Sequence, residues 1–558
     1  MFTFWFLFWK TFKATKPIAG DQLIVIIFFL IVVKMTKQTI KLCSLLLKEY
    51  FGEIISTVGS SVMSLSKAPL RLICLESGES VKNVKKSLAV LIHHCLITTS
   101  KHARGFIEYK AEPERILYLL RYPKYIYIAK SVFGDFGEQI VEEILGEGIM
   151  TPDGIVSKVY NRMKNTSENR DTDNYPNLIF EVLARMVQAK YIVRACVISN
   201  ETNETDWFPS TIETEDEFRA MQKSAISGLV KSENETSEPA TKRQRKEPQA
   251  KEDVYYMVNP DQFHLYLRDM TILEGLKAHY DDEKAAQLVQ VMLRLSQSSP
   301  WTKETIAISK SDIVSHCLRE NLFPSRDIVD EYLLFLTDDD TRFVVKVDER
   351  SGVAMYRVNI LLIHDKLIQS SISTIVTDRF GSQCGRIFRL LLSRKYLHQK
   401  QIEELAMIPA KDAKECTYNL MTNNFIRLLQ YPKGSEYLPA HTFFIFNVNV
   451  EEIVRSTIER CYQAVYNCIV RRNHELETHK SLIERKAIID AVITNLRLSS
   501  EQADIEQQIE ELNQSFSTHD KDLLEKLKKL SHRLELCELQ VDDSLFLFQS
   551  YLSISMFS

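Results

Sequence analysis

The sequence predicts a mainly α protein with small β-hairpins, an α+β chain of four tandem units closed by a C-terminal antiparallel coiled coil. Three observations predict it. A short helix, a turn, a longer amphipathic helix and two β-branched or aromatic runs recur in that order four times between residues 35 and 449. Residues 201–252 are poor in branched apolar residues and rich in Glu, Thr, Ser and Lys, so they cannot bury enough surface to stay ordered and part the second unit from the third. From residue 450 onward apolar residues step alternately by four and three, the seam of a coiled coil.

Residues 1–34 stand apart. FTFWFLFW and LIVIIFFLIVV flank a polar break with Lys16, Pro17, Gly20 and Asp21. The second run, Leu23 to Val33, is shorter than the roughly 20 apolar residues that cross a bilayer, and no small-residue cleavage site follows. A second methionine, Met35, precedes an amphipathic helix, TKQTIKLCSLLLKEYFGEII. Residues 1–34 are therefore expected to be a non-native or disordered extension from an upstream start, and no membrane partner is expected.

In the first unit (35–112) Ser77-Gly78 breaks a short helix, after which Val81, Val84, Leu88 and Leu91 share one helical face. LITTS and GFIEYK read as strands around a turn at Arg104-Gly105. The second unit (113–200) contains MTPDGIVSKVYNRM and NLIFEVLARMVQAKYIVRACV. The linker (201–252) carries KRQRK, Lys242 to Lys246, suited either to nuclear import or to a solvated charge cluster. In the third unit (253–365) Ser325 offers a helix cap and Arg350-Ser351-Gly352 a hairpin turn. The fourth (366–449) holds two helices hinged at Pro409, then IRLLQYP and HTFFIFNV as strands. Helix, turn, helix and hairpin is the winged-helix plan, a compact unit of about 70 to 90 residues. The chain thus reads as four tandem extended winged-helix domains.

In the last segment (450–558) the seam runs through Leu523, Leu527, Leu530, Leu534, Cys537 and Val541, with Ile458, Cys461, Val465 and Cys468 upstream and Ile505, Ile509 and Leu512 between. The break NQSFSTHD suits the turn joining two helices. The apolar stretch SLFLFQSYL needs a surface to cover it, within the chain or on a partner.

Composition bounds the function. With 45% apolar and 26% charged residues the 558-residue chain can build a sizeable core. A formal charge of −4 argues against attachment to nucleic acid by bulk electrostatics, so DNA contact must come from local basic patches. Ten cysteines without a CxxC pair fit reduced core thiols of the cytosol or nucleus. No phosphate-binding Gly loop, HExxH or GxSxG is present, so catalysis by this chain and a cofactor are not expected. His93 and His94 are adjacent, about 100° apart on a helix, and cannot both face one metal from it. Asp338-Asp339-Asp340 falls between helix and strand and reads as a loop.

The basic residues are more informative. Lys82, Lys85 and Lys86 lie at i, i+3 and i+4 on the long helix of the first unit, away from its apolar face. The following wing adds Lys101, His102 and Arg104. A helix presenting lysines beside a basic wing tip suits phosphate contact, so Lys82, Lys85, Lys86, Lys101 and Arg104 are the candidate DNA-binding residues. A solvated helix face is the plain alternative. The equivalent helix of the third unit carries Asp327, Asp330 and Glu331 and would repel phosphate, so protein binding is expected there. The fourth alternates Lys411 and Lys414 with Asp412 and Glu415, and its hinge is expected to serve a protein interface.

IKLCSLLLKEYFGEI (Ile40 to Ile54), LRYPKYIYIAK (Leu120 to Lys130), RFGSQCGRIFRLLL (Arg379 to Leu392) and QKQIEELAMIPAKDAK (Gln399 to Lys414) together make the chain similar to the third-subunit family of DNA-directed RNA polymerase III, polymerase-specific tandem winged-helix proteins related to the alpha chain of transcription factor IIE. The resemblance covers about Thr36 to Tyr551. It implies a non-catalytic nuclear subunit that joins two other polymerase III-specific subunits in a peripheral heterotrimer over the clamp of the largest subunit. It also implies help in opening promoter DNA, engagement of initiation factor TFIIIB, and synthesis of small untranslated RNAs such as transfer RNA and 5S ribosomal RNA. The catalytic magnesium would belong to the largest subunit. The fold alone also fits a free-standing winged-helix DNA-binding transcription regulator, or a pure protein-interaction scaffold.

Overall fold

The computed structural model describes residues 36–102, 104–166, 175–195, 254–296, 299–347, 354–432, 442–498 and 517–556. The extension 1–34, the KRQRK run, the turn at Arg350 to Gly352 and the seam positions Ile505, Ile509 and Leu512 lie outside them.

The first unit opens with two helices where one was expected. Helix α1 (Lys37–Phe51) starts at Thr36, whose hydroxyl accepts from the Thr39 N–H at 3.2 Å. It stops at Gly52, whose φ of +92° no L side chain adopts comfortably. Helix α2 (Glu53–Leu65) then folds back so that Leu42, Leu46 and Leu47 pack with Val58 and Val62. Strand β1 (Ala68–Pro69), α3 (Leu70–Ser77), α4 (Val81–His93), β2 (Ile97–Lys101) and β3 (Ile107–Ala111) follow. Gly78, left-handed at φ +68°, ends α3 as the Ser77-Gly78 signal predicts. The sheet is antiparallel in the order β1-β3-β2.

After α5 (Pro113–Leu117) and a 3-10 turn (Tyr118–Arg121) the same order returns. Helices α6 (Tyr122–Phe133) and α7 (Asp135–Glu147) part at Gly134, φ +78°. Helices α8 (Pro152–Thr166) and α9 (Tyr175–Gln188) lead into β4 (Ile192–Arg194). Its partner is β5 (Tyr256–Val258), beyond the polar stretch, in register Ile192↔Val258. The expected boundary at residue 253 therefore cuts through a sheet: Tyr256, Val258 and Phe263 pack in the core of the second unit. A two-strand pairing carries no sequence signal of its own when some 60 residues separate its halves.

The third block runs α10 (Pro260–Tyr280), α11 (Glu283–Ser296), β6 (Ile308–Ser309), α12 (Lys310–Arg319), α13 (Arg326–Asp338), β7 (Val344–Val347) and β8 (Met355–Val358), with sheet order β6-β8-β7. Ser325 precedes α13, but its side chain makes no capping hydrogen bond. The fourth runs α14 (Ile360–Phe380), α15 (Ser382–Arg394), β9 (Tyr396–His398), α16 (Gln399–Ala406), α17 (Ala410–Thr422), β10 (Arg427–Pro432) and β11 (Thr442–Asn447), with order β10-β11-β9. Gly381, φ +88°, divides α14 from α15 as Gly52 divides α1 from α2. Ser66 and Lys395 end the next helix of each with matching backbones, φ 63° and 64°.

Helices α18 (Val450–Thr478), α19 (Lys480–Leu498) and α20 (Thr518–Met556) complete the chain. Helix α20 runs antiparallel to α18: Arg472 donates to Glu538 at 2.9 Å, and Gln549 donates to the Tyr462 hydroxyl at 2.9 Å. Leu523, Leu527, Leu530 and Leu534 line this helix half-buried, whereas Cys537 is exposed. The seam steps by four from Leu534 to Glu538, which meets Arg472 instead of an apolar layer. Beyond it Leu545, Phe546 and Phe548 are buried within the chain, so SLFLFQSYL finds its cover there. One continuous core joins the first unit, the fourth unit, α18 and α20.

A buried polar knot fastens this core to the second and third units. Arg121 donates to Asp542 at 3.1 Å, and Lys124 donates to the same carboxylate at 2.6 Å. Arg121 also donates to Gln549 and lies over the Phe546 ring. The Tyr125 hydroxyl hydrogen-bonds His264 of α10 at 2.7 Å. Burial and the Arg121 charge push the His264 imidazole well below its usual range, so it stays neutral. For Arg121 burial opposes the charge, but the Asp542 carboxylate, together with Tyr125 and Tyr118, outweighs burial and holds the guanidinium above its ordinary value.

Candidate nucleic-acid interface

Helix α4 begins at Ser80, whose hydroxyl accepts from the Asn83 N–H at 3.2 Å. At 100° per residue its buried face, Val84, Ser87, Leu88 and Leu91, is opposite Lys82 and Lys86, with Lys85 on the flank between. All three lysines are exposed and make no ion pair among the described residues. Val81, expected on the apolar face, is 53% exposed at the first position of the helix. The nearest carboxylate in sequence, Glu79, accepts from the Asn83 amide at 3.1 Å.

The wing is the β2–β3 hairpin, with Lys101 opposite Ile107. Its tip closes through His102 N–H to Phe106 C=O at 2.9 Å and Gly105 N–H to His102 C=O at 2.8 Å, with Gly105 at φ +86°. Lys101 and Arg104 are exposed. Lys110, by contrast, is held by Glu112 at 2.7 Å. The structure thus leaves all five candidate cations, two on the wing and three on the helix, open to a ligand.

The equivalent helices differ. Helix α9 carries Glu181 with Arg185. On α13 Asp327 and Glu331 are exposed, but Asp330 is half-buried and bound to Lys310 at 3.0 Å, so only two of the three expected carboxylates face outward. Beside them Leu334 and Phe335 are 59% and 53% exposed, an apolar patch that charge counting misses. On α17 Lys411, Lys414 and Glu415 are exposed and Asp412 half-buried, after the hinge at Pro409. Of the four helices α4 alone has cations and no carboxylate.

Among the described residues no group of three or more His, Cys, Asp or Glu could hold a metal ion, and no helix is long and apolar enough to cross a membrane. His93 is exposed, while His94 is half-buried against Phe51, and burial, with His93 beside it, lowers its pKa to about 4. Asp339 caps α13 and accepts from the Tyr280 hydroxyl at 2.5 Å. Sequence reasoning missed Arg121, Lys124 and Asp542, although the RYPKYIY run places two cations and three tyrosines within seven residues.

Comparisons with known proteins agree along the chain. Residues 41–101 match the RNA polymerase III subunit RPC82 helix-turn-helix domain, and 183–367 match RNA polymerase III subunit RPC82. Residues 372–448 match the POLR3C C-terminal winged-helix domain, and 481–547 the helical hairpin domain of DNA-directed RNA polymerase III subunit RPC3. The RPC3 subunit of Bos taurus is 36% identical over 541 residues, covering 94% of this chain and 100% of the relative. That of Homo sapiens is 34% identical, covering 94% and 99%. That of Dictyostelium discoideum is 27% identical over 289 residues, covering 48% and 41%.

Proposed function

Because the chain belongs to the family of DNA-directed RNA polymerase III subunit RPC3, we propose that it serves that enzyme as a non-catalytic nuclear subunit whose first unit contacts promoter DNA as it melts. It is a subunit of RNA polymerase III and works in association with other subunits of that polymerase. In the proposed arrangement it joins two further specific subunits in a peripheral heterotrimer over the clamp of the largest subunit. There it supports promoter opening and engagement of TFIIIB for synthesis of small untranslated RNAs.

The observation that carries the DNA contact is the unpaired cationic face of α4 with the Lys101 and Arg104 wing. Phosphate contact without base readout suits an enzyme that serves many promoters, since phosphates carry no sequence information directly. Strand separation gains only from a difference in affinity between melted and paired DNA. Helix α13, with exposed Leu334 and Phe335 between carboxylates, is offered to protein instead.

A salt titration tests the contact. Changing Lys82, Lys85 and Lys86 together to Ala is expected to flatten the slope of log affinity against log salt by about 2 on single strands. An unaltered slope would remove these lysines from the interface. Affinity purification of the chain with recovery of polymerase III subunits is the companion experiment, and a chain recovered alone would favour the free regulator.

A further inference from the structure

We infer that the tip of the first wing is a stacking site for one unpaired base, formed by His102 and Phe106. Their rings lie 4.4 Å apart and within 10° of parallel. Two further observations fix the pair. The Arg104 N–H donates to the His102 Nδ1 at 3.2 Å, which sets the imidazole plane. The His102 N–H to Phe106 C=O bond at 2.9 Å closes the loop beneath it. Phe106 and the neighbouring Ile107 are nonetheless 38% and 52% exposed, although Leu96, Ile97 and Ala111 of the same hairpin region are buried. The pair thus presents an aromatic face to solvent.

Charge selects the occupant. Lys101 and Arg104 flank the pair, and the α4 lysines belong to the same unit, so an anionic ligand with a flat apolar face fits best. A nucleotide has both, a π-face and a phosphate. Within a duplex that face is already covered by its neighbours, so an aromatic tip gains stacking only from a base that has left the helix. This inference rests on the DNA-facing reading of the first unit and adds to it a source of preference for melted over paired DNA, which phosphate contacts alone do not provide.

The test uses the full chain and fluorescence anisotropy on a labelled mixed-sequence single strand, its duplex, and the single strand bearing a run of abasic sites. Phe106→Ala is expected to weaken single-strand binding about tenfold, with the salt slope kept, and to change duplex binding by less than about threefold. Phe106→Tyr, which preserves the ring, is expected to restore the single-strand affinity. The wild type on the abasic strand should behave like Phe106→Ala on the intact one. Equal losses on single and double strands would overturn the stacking site, as would an unchanged single-strand affinity for Phe106→Ala, including the case in which that variant instead loses a polymerase subunit on purification. If the wild type binds neither form of DNA, the DNA-facing reading falls, and the stacking site with it. Circular dichroism of each variant separates these outcomes from a folding defect.

Discussion

Asp542 is the residue whose loss should do most damage for its size. Its side chain is 2% exposed and meets two cations, Arg121 (4%) at 3.1 Å and Lys124 (15%) at 2.6 Å. Asp542→Ala leaves the guanidinium with Gln549 and the neutral His264 ring, and the ammonium with the Leu539 carbonyl and the exposed Asp543. Breaking a buried pair from one side costs about 3–5 kcal/mol, because the remaining charge is left in a medium that solvates it poorly. At 1.4 kcal/mol per factor of ten, the opening constant of the last turns of α20 should rise by roughly a hundredfold to a few thousandfold. Native-state hydrogen exchange on peptides covering residues 539–556 measures that constant. Asp543→Ala, which removes a 68% exposed carboxylate, should cost less than about 1 kcal/mol and serves as the control. Replacing Arg121 and Asp542 together, Arg121→Met with Asp542→Leu, should recover the part of the loss that comes from the stranded guanidinium, since apolar residues of similar volume need no compensation, while Lys124 keeps the Leu539 carbonyl and Asp543. If Asp542→Ala opens α20 no more than Asp543→Ala does, the knot is not a closed low-dielectric site and the reasoning fails.

Burial lowers the pKa of His364 and of His94 to about 4, from an ordinary 6.5. The unfolded chain therefore takes up protons between pH 6.5 and 4 that the folded chain refuses, and the unfolding free energy from urea melts should fall as pH falls through that window, by about 3 kcal/mol for His364. Glu538 acts in the opposite sense. Burial raises its pKa to about 6 despite the Arg472 charge, so its contribution is present below pH 4.5 and lost as pH rises past 6. Wild type minus Glu538→Gln in urea melts at pH 4.5 and 7 should isolate a change of about 2 kcal/mol. Gly148, at φ +96°, would place a Cβ 2.6 Å from the His93 carbonyl oxygen, so Gly148→Ala should lower the thermal midpoint at a cost of about 1–3 kcal/mol. Gly146→Ala, with open space around it, should be neutral or stabilising in the same scan.

Much of the architecture is visible in local pattern. Ser77-Gly78 ends α3 where a left-handed residue is needed, Arg104-Gly105 turns the wing, and Lys82 and Lys86 of α4 fall opposite Val84, Leu88 and Leu91 because a helix has one period. The misreadings share a physical cause. Val81 satisfies the period yet stays largely exposed at the helix start, Asp330 belongs to the acidic run yet is bound to Lys310, and Cys537 keeps the heptad spacing while Glu538 takes the seam. Periodicity specifies which side of an element a residue is on, not what stands across from it.

By itself the sequence determined the succession of helices and hairpins, the single cationic helix among four equivalents and the family, since each is a property of neighbouring residues or of motifs. Only the tertiary structure decided that β4 pairs with β5 across the polar stretch, that the first and fourth units share one core with α18 and α20, and that Arg121 and Lys124 meet Asp542 more than 400 positions away. Such contacts depend on where distant surfaces come to rest, and burial then gives a single carboxylate an importance that its local sequence does not disclose.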